Sequence, residues 1–243
     1  MTNFFTKKYI GLALVLLLIA VTAGSILYNS SAKEELERES VERESLRNEL
    51  LAVTPDDHVY GLRDAPIKLI EYGDINCQYC RVLYPRLKNV VDAYPESVAF
   101  VYRHIPIYGR TDEVSRGEIA SECVHREKGD AGFFSYLDTL FEKLPSNRQT
   151  AEVPFKILTE AAEEVGVEQS TLEACIESEY RTSLIKKQHG SGGALGVYIV
   201  PHTFIVSDKA VYDIVGAEFE EVYRKIVESM LGSQESSPSE VSS

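Results

Sequence analysis

The sequence has no excess of basic residues. Its 243 residues include 25 lysines and arginines against 38 aspartates and glutamates, which gives a formal net charge of -13. Proteins that bind nucleic acids present basic patches to the phosphates, so this balance argues against a nucleic-acid partner. No internal repeat is visible. The length and a hydrophobic content of 44% suit one medium-sized domain with appendages, or two small domains at most.

Cysteines are few, and their interpretation depends on the compartment. The four are Cys77, Cys80, Cys123 and Cys175, and they allow three pairings that the sequence does not distinguish. In a reducing cytosol they would be thiols or metal ligands, whereas outside it they tend to pair. The N-terminal segment therefore decides how the cysteines are interpreted.

That segment predicts a membrane anchor. Lys7 and Lys8 precede an uncharged, mostly apolar stretch over residues 9–28, long enough as a helix to cross about 30 Å of hydrocarbon. The charge pattern places residues 1–8 in the cytoplasm and the remaining chain on the extracytoplasmic face. A signal peptide cleaved near residues 21–23 is the alternative, but apolar residues continue to Tyr28. No cysteine lies near the end of this segment, so a lipoprotein anchor is not supported.

Polar segments flank the predicted folded domain. Residues 29–57 are rich in Glu, Arg and Ser without a sustained heptad, which favours a solvated, partly helical stalk over a coiled coil. The domain is expected over residues 58–232. Residues 233–243 are rich in Ser and Glu and are expected to form a disordered tail.

The first half of the domain has a strand–helix–strand pattern. Residues 66–72 are apolar strand formers, residues 77–94 have helical periodicity, and residues 97–104 form a second apolar run. Pro85 is expected to kink the helix. This order predicts a parallel strand pair with a helical crossover.

The second half is mostly helical until two strands return. Amphipathic helices are expected at 112–127, 131–144, 153–165, 170–178 and 180–188, within a helical insert over about 111–188. Residues 190–196 are expected to form a glycine-rich loop. Strands at 203–206 and 210–214 follow as a hairpin, and then a helix at 219–231. The fold class is α/β, with an all-helical subdomain inserted into the sheet domain.

Cys77 and Cys80 open a helix directly after a strand, which is the place for thiol–disulfide exchange. Helix N-terminal N–H groups stabilise a thiolate on the first cysteine, so Cys77 is both an attacking group and a good leaving group. Cys80 lies deeper and is suited to resolving a mixed disulfide. A zinc site lacks a second Cys-x-x-Cys or a matching histidine pair. A structural disulfide over three residues closes too small a loop to stabilise much, and reduced core cysteines do not suit an oxidising compartment.

Three segments together resemble the DsbA-like thioredoxin superfamily. Asp64 to Asp74 followed by Cys77-Gln78-Tyr79-Cys80 is similar to that family's strand and active-site helix. Phe100 to Pro106 resembles its next strand, and Ala194 to Phe204 resembles its cis-proline loop. The resemblance covers roughly residues 58–231 and implies a thioredoxin fold with a helical insert.

The resemblance also implies roles for individual residues. Pro201 would be a cis-proline facing the disulfide, and Val200 would offer backbone hydrogen bonds to an extended substrate; an ordinary trans-proline is the alternative. Glu71 would be a buried acid that exchanges protons with Cys80, unless it faces solvent on an edge strand. Gln78 and Tyr79 lie between the cysteines, where they are expected to contact the substrate and to tune the redox equilibrium without adding positive charge. His202 is expected to line the substrate groove or to lie at the surface.

The remaining cysteines and histidines are not predicted to do chemistry. Some relatives carry a pair near Cys123 and Cys175, which implies a structural disulfide; two buried thiols, or a second exchange-active pair, are the alternatives. His104, His125 and His189 have no metal-ligand spacing. We therefore expect no metal and no bound cofactor.

The function implied by the resemblance is a membrane-anchored dithiol oxidase. Its substrates would be exported proteins with cysteine thiols, and a membrane quinone-linked oxidase would reoxidise it. A reductase or isomerase in the same compartment is one alternative. A non-catalytic, membrane-tethered chaperone or binding module is another.

Overall fold

The computed structural model describes residues 33–106, 114–145 and 151–235. The chain divides into two compact units, residues 1–50 and residues 51–243. In the first unit the described residues belong to helix α1 (33–51), whose charged side chains are mostly exposed. The apolar stretch at 9–28 lies outside the described residues. Within them, no helix is both long and apolar enough to cross a membrane.

The second unit begins at Leu51, before the expected boundary at His58. Leu51 is buried, and the carboxylate of Asp57 accepts buried hydrogen bonds from the Arg103 guanidinium at 2.7 and 2.9 Å. The end of the predicted stalk is therefore part of the folded core, because the ion pair between Asp57 and Arg103 holds it there.

A five-stranded sheet organises this unit, in the order β1-β3-β2-β4-β5. Its strands are β1 (His58–Gly61), β2 (Ile67–Gly73), β3 (Val98–His104), β4 (His202–Val206) and β5 (Val211–Val215). The helices are α2 (Gln78–Ala93), α3 (Arg116–Lys143), α4 (Phe155–Glu164), α5 (Gln169–Glu177), α6 (Thr182–Ala194) and α7 (Glu220–Glu235).

The sheet confirms the predicted crossover. β2 and β3 are parallel and joined by α2, while β4 runs antiparallel to β2 and pairs with β5. β1 pairs antiparallel with β3 and was missed in the sequence, because a run of four residues is too short for periodicity to identify. α2, the helices of the insert and α7 share one large apolar core with the sheet.

The helical insert is present, with one correction to its boundaries. The helices expected at 112–127 and 131–144 are confirmed as the two parts of α3, which separate at Gly129, whose φ of 66° favours glycine. The glycine-rich loop expected at 190–196 is wrong, because α6 continues to Ala194. A Cβ at Gly192 would lie 2.7 Å from Ile105 Cδ1, so this glycine allows close helix packing rather than a loop.

Helix α7 also extends to Glu235, past the start of the expected tail at 233. The rest of that tail lies outside the described residues. Pro85 lies inside α2, which is continuous over its sixteen residues.

Candidate active site

Cys77 occupies the N-cap position of α2, with extended backbone angles that turn the chain from β2 into the helix. Its thiol is free in this structure and only 6% exposed. A hydrogen bond from the Cys80 thiol lowers the pKa of Cys77 to about 6, against the opposing effect of burial. The backbone N–H groups of Cys80 and Tyr79 contribute to the same lowering. At neutral pH Cys77 is therefore a thiolate, as its place at the helix start predicts.

Cys80 lies one turn deeper and is completely buried. Burial, followed by its hydrogen bond to Cys77, raises the pKa of Cys80 well above its usual value. The backbone N–H of Asp74 points at its sulfur, 3.4 Å away. The two thiols thus differ sharply in acidity, with the outer one ionised and the inner one protonated.

Glu71 is a fully buried acid on β2, the strand that leads to the cysteine pair. β2 lies between β3 and β4, so an exposed position on an edge strand is ruled out. Burial first, and then the charge of Cys77, raise the pKa of Glu71 well above the usual range. Among the described residues neither carboxyl oxygen has a hydrogen-bond partner. The raised pKa favours the protonated form of this acid.

The Val200–Pro201 peptide bond is cis. The carbonyl oxygen of Val200 faces the sulfur of Cys77 at 3.8 Å, and the Pro201 carbonyl accepts a hydrogen bond from the N–H of Gly216 at 2.8 Å. The structure thereby brings Val200 and Pro201 next to the cysteine pair, although more than a hundred residues separate them in sequence.

Three exposed apolar side chains lie on the active-site segments. Tyr79, between the cysteines, is 57% exposed, and Tyr198 and Ile199, just before Val200, are 78% and 62% exposed. The exposure of Tyr198 and Ile199 was not predicted, although two large apolar residues directly before the proline loop are a usable signal. Gln78 is partly buried.

His202 is only 4% exposed. Its ring stacks on Phe204, and its Nε2 pairs with the Asp213 carboxylate. Its register in β4 places it opposite Tyr72. The expected surface position is therefore wrong, and a place along the substrate groove stays a prediction.

Cys123 and Cys175 form a disulfide that joins α3 to α5, with their Cα atoms 5.9 Å apart. Both residues are buried in the insert and belong to its apolar core. This bond closes a loop between residues 52 apart in sequence, at a distance from the Cys77–Cys80 pair along the chain.

A buried polar cluster that the sequence did not predict lies between β1, β3 and α3. Glu122 contacts His58 Nε2 at 2.7 Å and His104 Nε2 at 3.2 Å, and its other oxygen is 3.2 Å from the Arg181 guanidinium. These ligand types suit zinc. However, they already lie at hydrogen-bonding distances, and Arg181 supplies Glu122 with a cation, so ion pairing within the protein accounts for the cluster.

Comparison with known proteins shows which family the chain belongs to. The family model described as thioredoxin matches residues 53–228, which include the cysteine pair and the cis-proline loop. The chain belongs to the thioredoxin family. Among curated relatives, the disulfide bond formation protein D of Bacillus subtilis is 26% identical over 179 residues, covering 72% of this chain and 77% of that protein.

Solved structures agree on the fold. The oxidised BdbD of Bacillus subtilis superposes with a TM-score of 0.61 at 21% identity, covering 72% of this chain and 93% of that one. Pseudomonas aeruginosa DsbA2 gives a TM-score of 0.60 at 24% identity over 74% of this chain and 97% of that one. The predicted DsbA-like α/β fold with a helical insert is confirmed.

A second curated relative matches only in part. A Na(+)/H(+) antiporter NhaA 1 of Salinispora arenicola is 35% identical over 86 residues, and this chain covers just 12% of its length. The family, the disulfide-forming relative and the sulfur geometry together confirm the predicted activity class. The chain is a thiol:disulfide oxidoreductase.

Proposed function

We propose that this protein is a dithiol oxidase that introduces disulfides into exported proteins, anchored by residues 9–28 with its catalytic domain outside the cytoplasm. The observation that carries the proposal is the position of Cys77 at the start of α2 with Cys80 fully buried one turn further on. This arrangement lowers the pKa of Cys77 and raises the pKa of Cys80. A stabilised thiolate favours the reduced form of the pair, and a pair that prefers to be reduced withdraws electrons from its substrates.

In the proposed cycle a substrate thiolate attacks Cys77 Sγ, and the bond between Cys77 and Cys80 breaks. The Cys80 thiolate that leaves has a raised pKa and takes a proton from the Glu71 carboxyl. The substrate's second thiolate then attacks the substrate sulfur of the mixed disulfide and releases Cys77 as a thiolate. The substrate loses two electrons and two protons; the electrons stay on the cysteine pair, one proton returns to Glu71 and the other goes to solvent.

Substrate binding in this scheme uses backbone contacts and an apolar rim. Val200 presents its carbonyl beside Cys77, where an extended peptide is positioned for exchange. Tyr79, Tyr198 and Ile199 expose apolar surface to unfolded chains. The chain itself needs no bound cofactor. A membrane quinone-linked oxidase accepts the two electrons from Cys77 and Cys80 and restores their disulfide.

Equilibration of the full-length protein in detergent with glutathione buffers tests the direction of electron flow. We expect the pair to remain largely reduced even when most glutathione is oxidised, and the oxidised protein to form disulfides in a reduced, unfolded substrate. A pair that stays oxidised in reducing buffers, yet is reduced in cells, would instead identify a reductase or isomerase. If the Cys77→Ser variant kept the full function of the wild type in cells, the protein would be a non-catalytic chaperone or binding module.

A further inference from the structure

A second pair of buried acids lies where the active-site turn meets the helical insert. Asp74 follows β2 and precedes Cys77 by three positions, and Glu118 is in the first turn of α3. Both side chains are fully buried. Hydrogen bonds link them through two residues, since Asn76 donates to Asp74 and to Ser115, and Ser115 donates to Glu118. Besides burial, the charge of Asp74 and a hydrogen bond between the two carboxyl groups also raise the pKa of Glu118. Two carboxyl groups form such a hydrogen bond only when one of them carries a proton.

Asp74 holds the turn that carries the reactive sulfurs. One of its carboxylate oxygens accepts the Asn76 N–H at 2.7 Å, and its carbonyl accepts the Cys77 N–H at 3.0 Å. Its own N–H points at Cys80 Sγ. Any change in the charge or position of Asp74 is therefore transmitted directly to both cysteines.

Glu118 is arranged to hold the shared proton. Its Oε2 accepts hydrogen bonds from the backbone N–H and the hydroxyl of Ser115. Its Oε1 has no N–H or O–H donor among the described residues. Burial, followed by the negative charge of Asp74, raises the pKa of Glu118 well above its usual value. A proton on Oε1 satisfies that oxygen and gives Asp74 a donor.

Other contacts attach the same turn to the insert. The Asn76 side chain donates to Ser115 Oγ at 3.0 Å and accepts the Val153 N–H at 2.9 Å. The Gly117 backbone lies so close to Ile75 that a Cβ there would be 3.2 Å from Ile75 Cγ2. The residues directly before Cys77 are thus held by α3 and by the segment leading into α4.

We propose that Asp74 and Glu118 form an acid–carboxylate pair with the proton on Glu118, through which the insert positions the active-site turn and sets the reactivity of Cys77. Glu118 is a positioning residue that acts through Asp74. Asp74 remains the single negative charge of the pair and restrains ionisation of Cys77. The inference rests on the proposed thiol chemistry of Cys77, but not on the direction in which electrons flow.

Isosteric variants distinguish the roles of Asp74 and Glu118. Asp74→Asn removes the charge of the pair, so we expect the ratio of thiolate to thiol at Cys77 to rise about tenfold at a given pH, the usual effect of one nearby charge. In Glu118→Gln the amide oxygen can still accept from Ser115 while the NH₂ donates to Asp74. The ratio of thiolate to thiol at Cys77 in that variant should match the wild-type ratio within about threefold, because the amide has the hydrogen-bonding pattern of the protonated acid.

Glu118→Ala removes the donor and leaves the charge of Asp74 less dispersed. In this variant we expect the ratio of thiolate to thiol at Cys77 to fall at least about threefold. Glu118→Gln should not show this fall, because its amide still donates to Asp74. The exposed Glu127 on the same helix supplies the matched control Glu127→Gln, which should leave the titration unchanged.

The measurement is thiolate absorbance of the reduced full-length protein against pH, with the glutathione equilibrium constant as a second readout. Far-ultraviolet circular dichroism identifies variants that fail to fold. If Glu118→Gln raises the thiolate ratio while Asp74→Asn does not, the proton is on Asp74 and the proposal is overturned. Equal shifts in both variants would mean that both acids are ionised, which also overturns it. A wild-type equilibrium constant with glutathione that favours the disulfide form of the pair would refute the proposed oxidase. The comparisons between the Asp74 and Glu118 variants would still hold.

Discussion

The carbonyl oxygen of Val200 lies 3.8 Å from the sulfur of Cys77, although the two residues are 123 positions apart in sequence. The helix start supplies the N–H groups that stabilise the Cys77 thiolate, and the loop of Val200 forms the wall opposite. Exchange chemistry needs both, because the sulfur must be ionised and a substrate must lie beside it.

Replacing the resolving cysteine should trap substrates. In Cys80→Ala a mixed disulfide formed at Cys77 is no longer resolved by attack from within the protein, so covalent adducts with exported proteins should accumulate. Non-reducing electrophoresis of cell extracts measures them, and the adducts should disappear on reduction. Cys77→Ala is the matched control, since it removes the attacked sulfur. Adducts of equal abundance in both variants would show that Cys77 is not the exchange site.

The same substitution should change the acidity of Cys77. The hydrogen bond from the Cys80 thiol is the largest contribution to the lowered pKa of about 6. Cys80→Ala should therefore raise the pKa of Cys77 while leaving it below the usual value, because N–H groups of the helix remain. Thiolate absorbance against pH gives this value directly. An unchanged midpoint would mean that the backbone N–H groups alone hold the thiolate.

Removing the buried acid should alter how stability depends on pH. The pKa of Glu71 is raised in the folded protein, so the folded state binds more protons than the unfolded state above the ordinary pKa of a glutamate. The Glu71 contribution to the free energy of unfolding is therefore lost as pH rises toward the folded pKa. Glu71→Gln should be more stable than the wild type at pH 8 by a larger margin than at pH 4.

Urea denaturation at the two pH values measures that margin, with exposed Glu96→Gln as the control. The same Glu71 variant should slow substrate oxidation about a hundredfold or more, because the Cys80 thiolate loses its proton donor. A variant with wild-type rate and an unchanged pH dependence of stability would exclude a titrating role for Glu71.

The disulfide of the insert should contribute to stability and not to exchange. Cys123 and Cys175 close a loop of 52 residues, and replacing both by alanine should lower the free energy of unfolding by roughly 4 kcal/mol in the chain-entropy model. Urea denaturation of the oxidised proteins measures the loss. The glutathione equilibrium of Cys77 and Cys80 should be unchanged; a shift of more than about threefold would indicate that the second pair takes part in electron transfer.

The local pattern of apolar residues was sufficient to predict much of the fold. Periodicity located β2, α2 and β3 to within a residue or two at each end, because an alternating or helical apolar face is a property of neighbouring residues. It failed at β1, which is stabilised by pairing with β3 rather than by its own pattern. It also failed at Gly192, where close packing against Ile105 requires a glycine inside a helix.

The sequence by itself determined that Cys77 and Cys80 open a helix after an apolar strand, since that depends only on adjacent residues and on the N–H groups of a helix start. The tertiary structure decided what surrounds them. The central place of β2 buries Glu71, the return of the chain at β4 sets Val200 opposite Cys77, and α3 brings Glu118 against Asp74. Burial and charge contact arise from packing between distant segments, so they shift the pKa of a side chain in ways that no local pattern records.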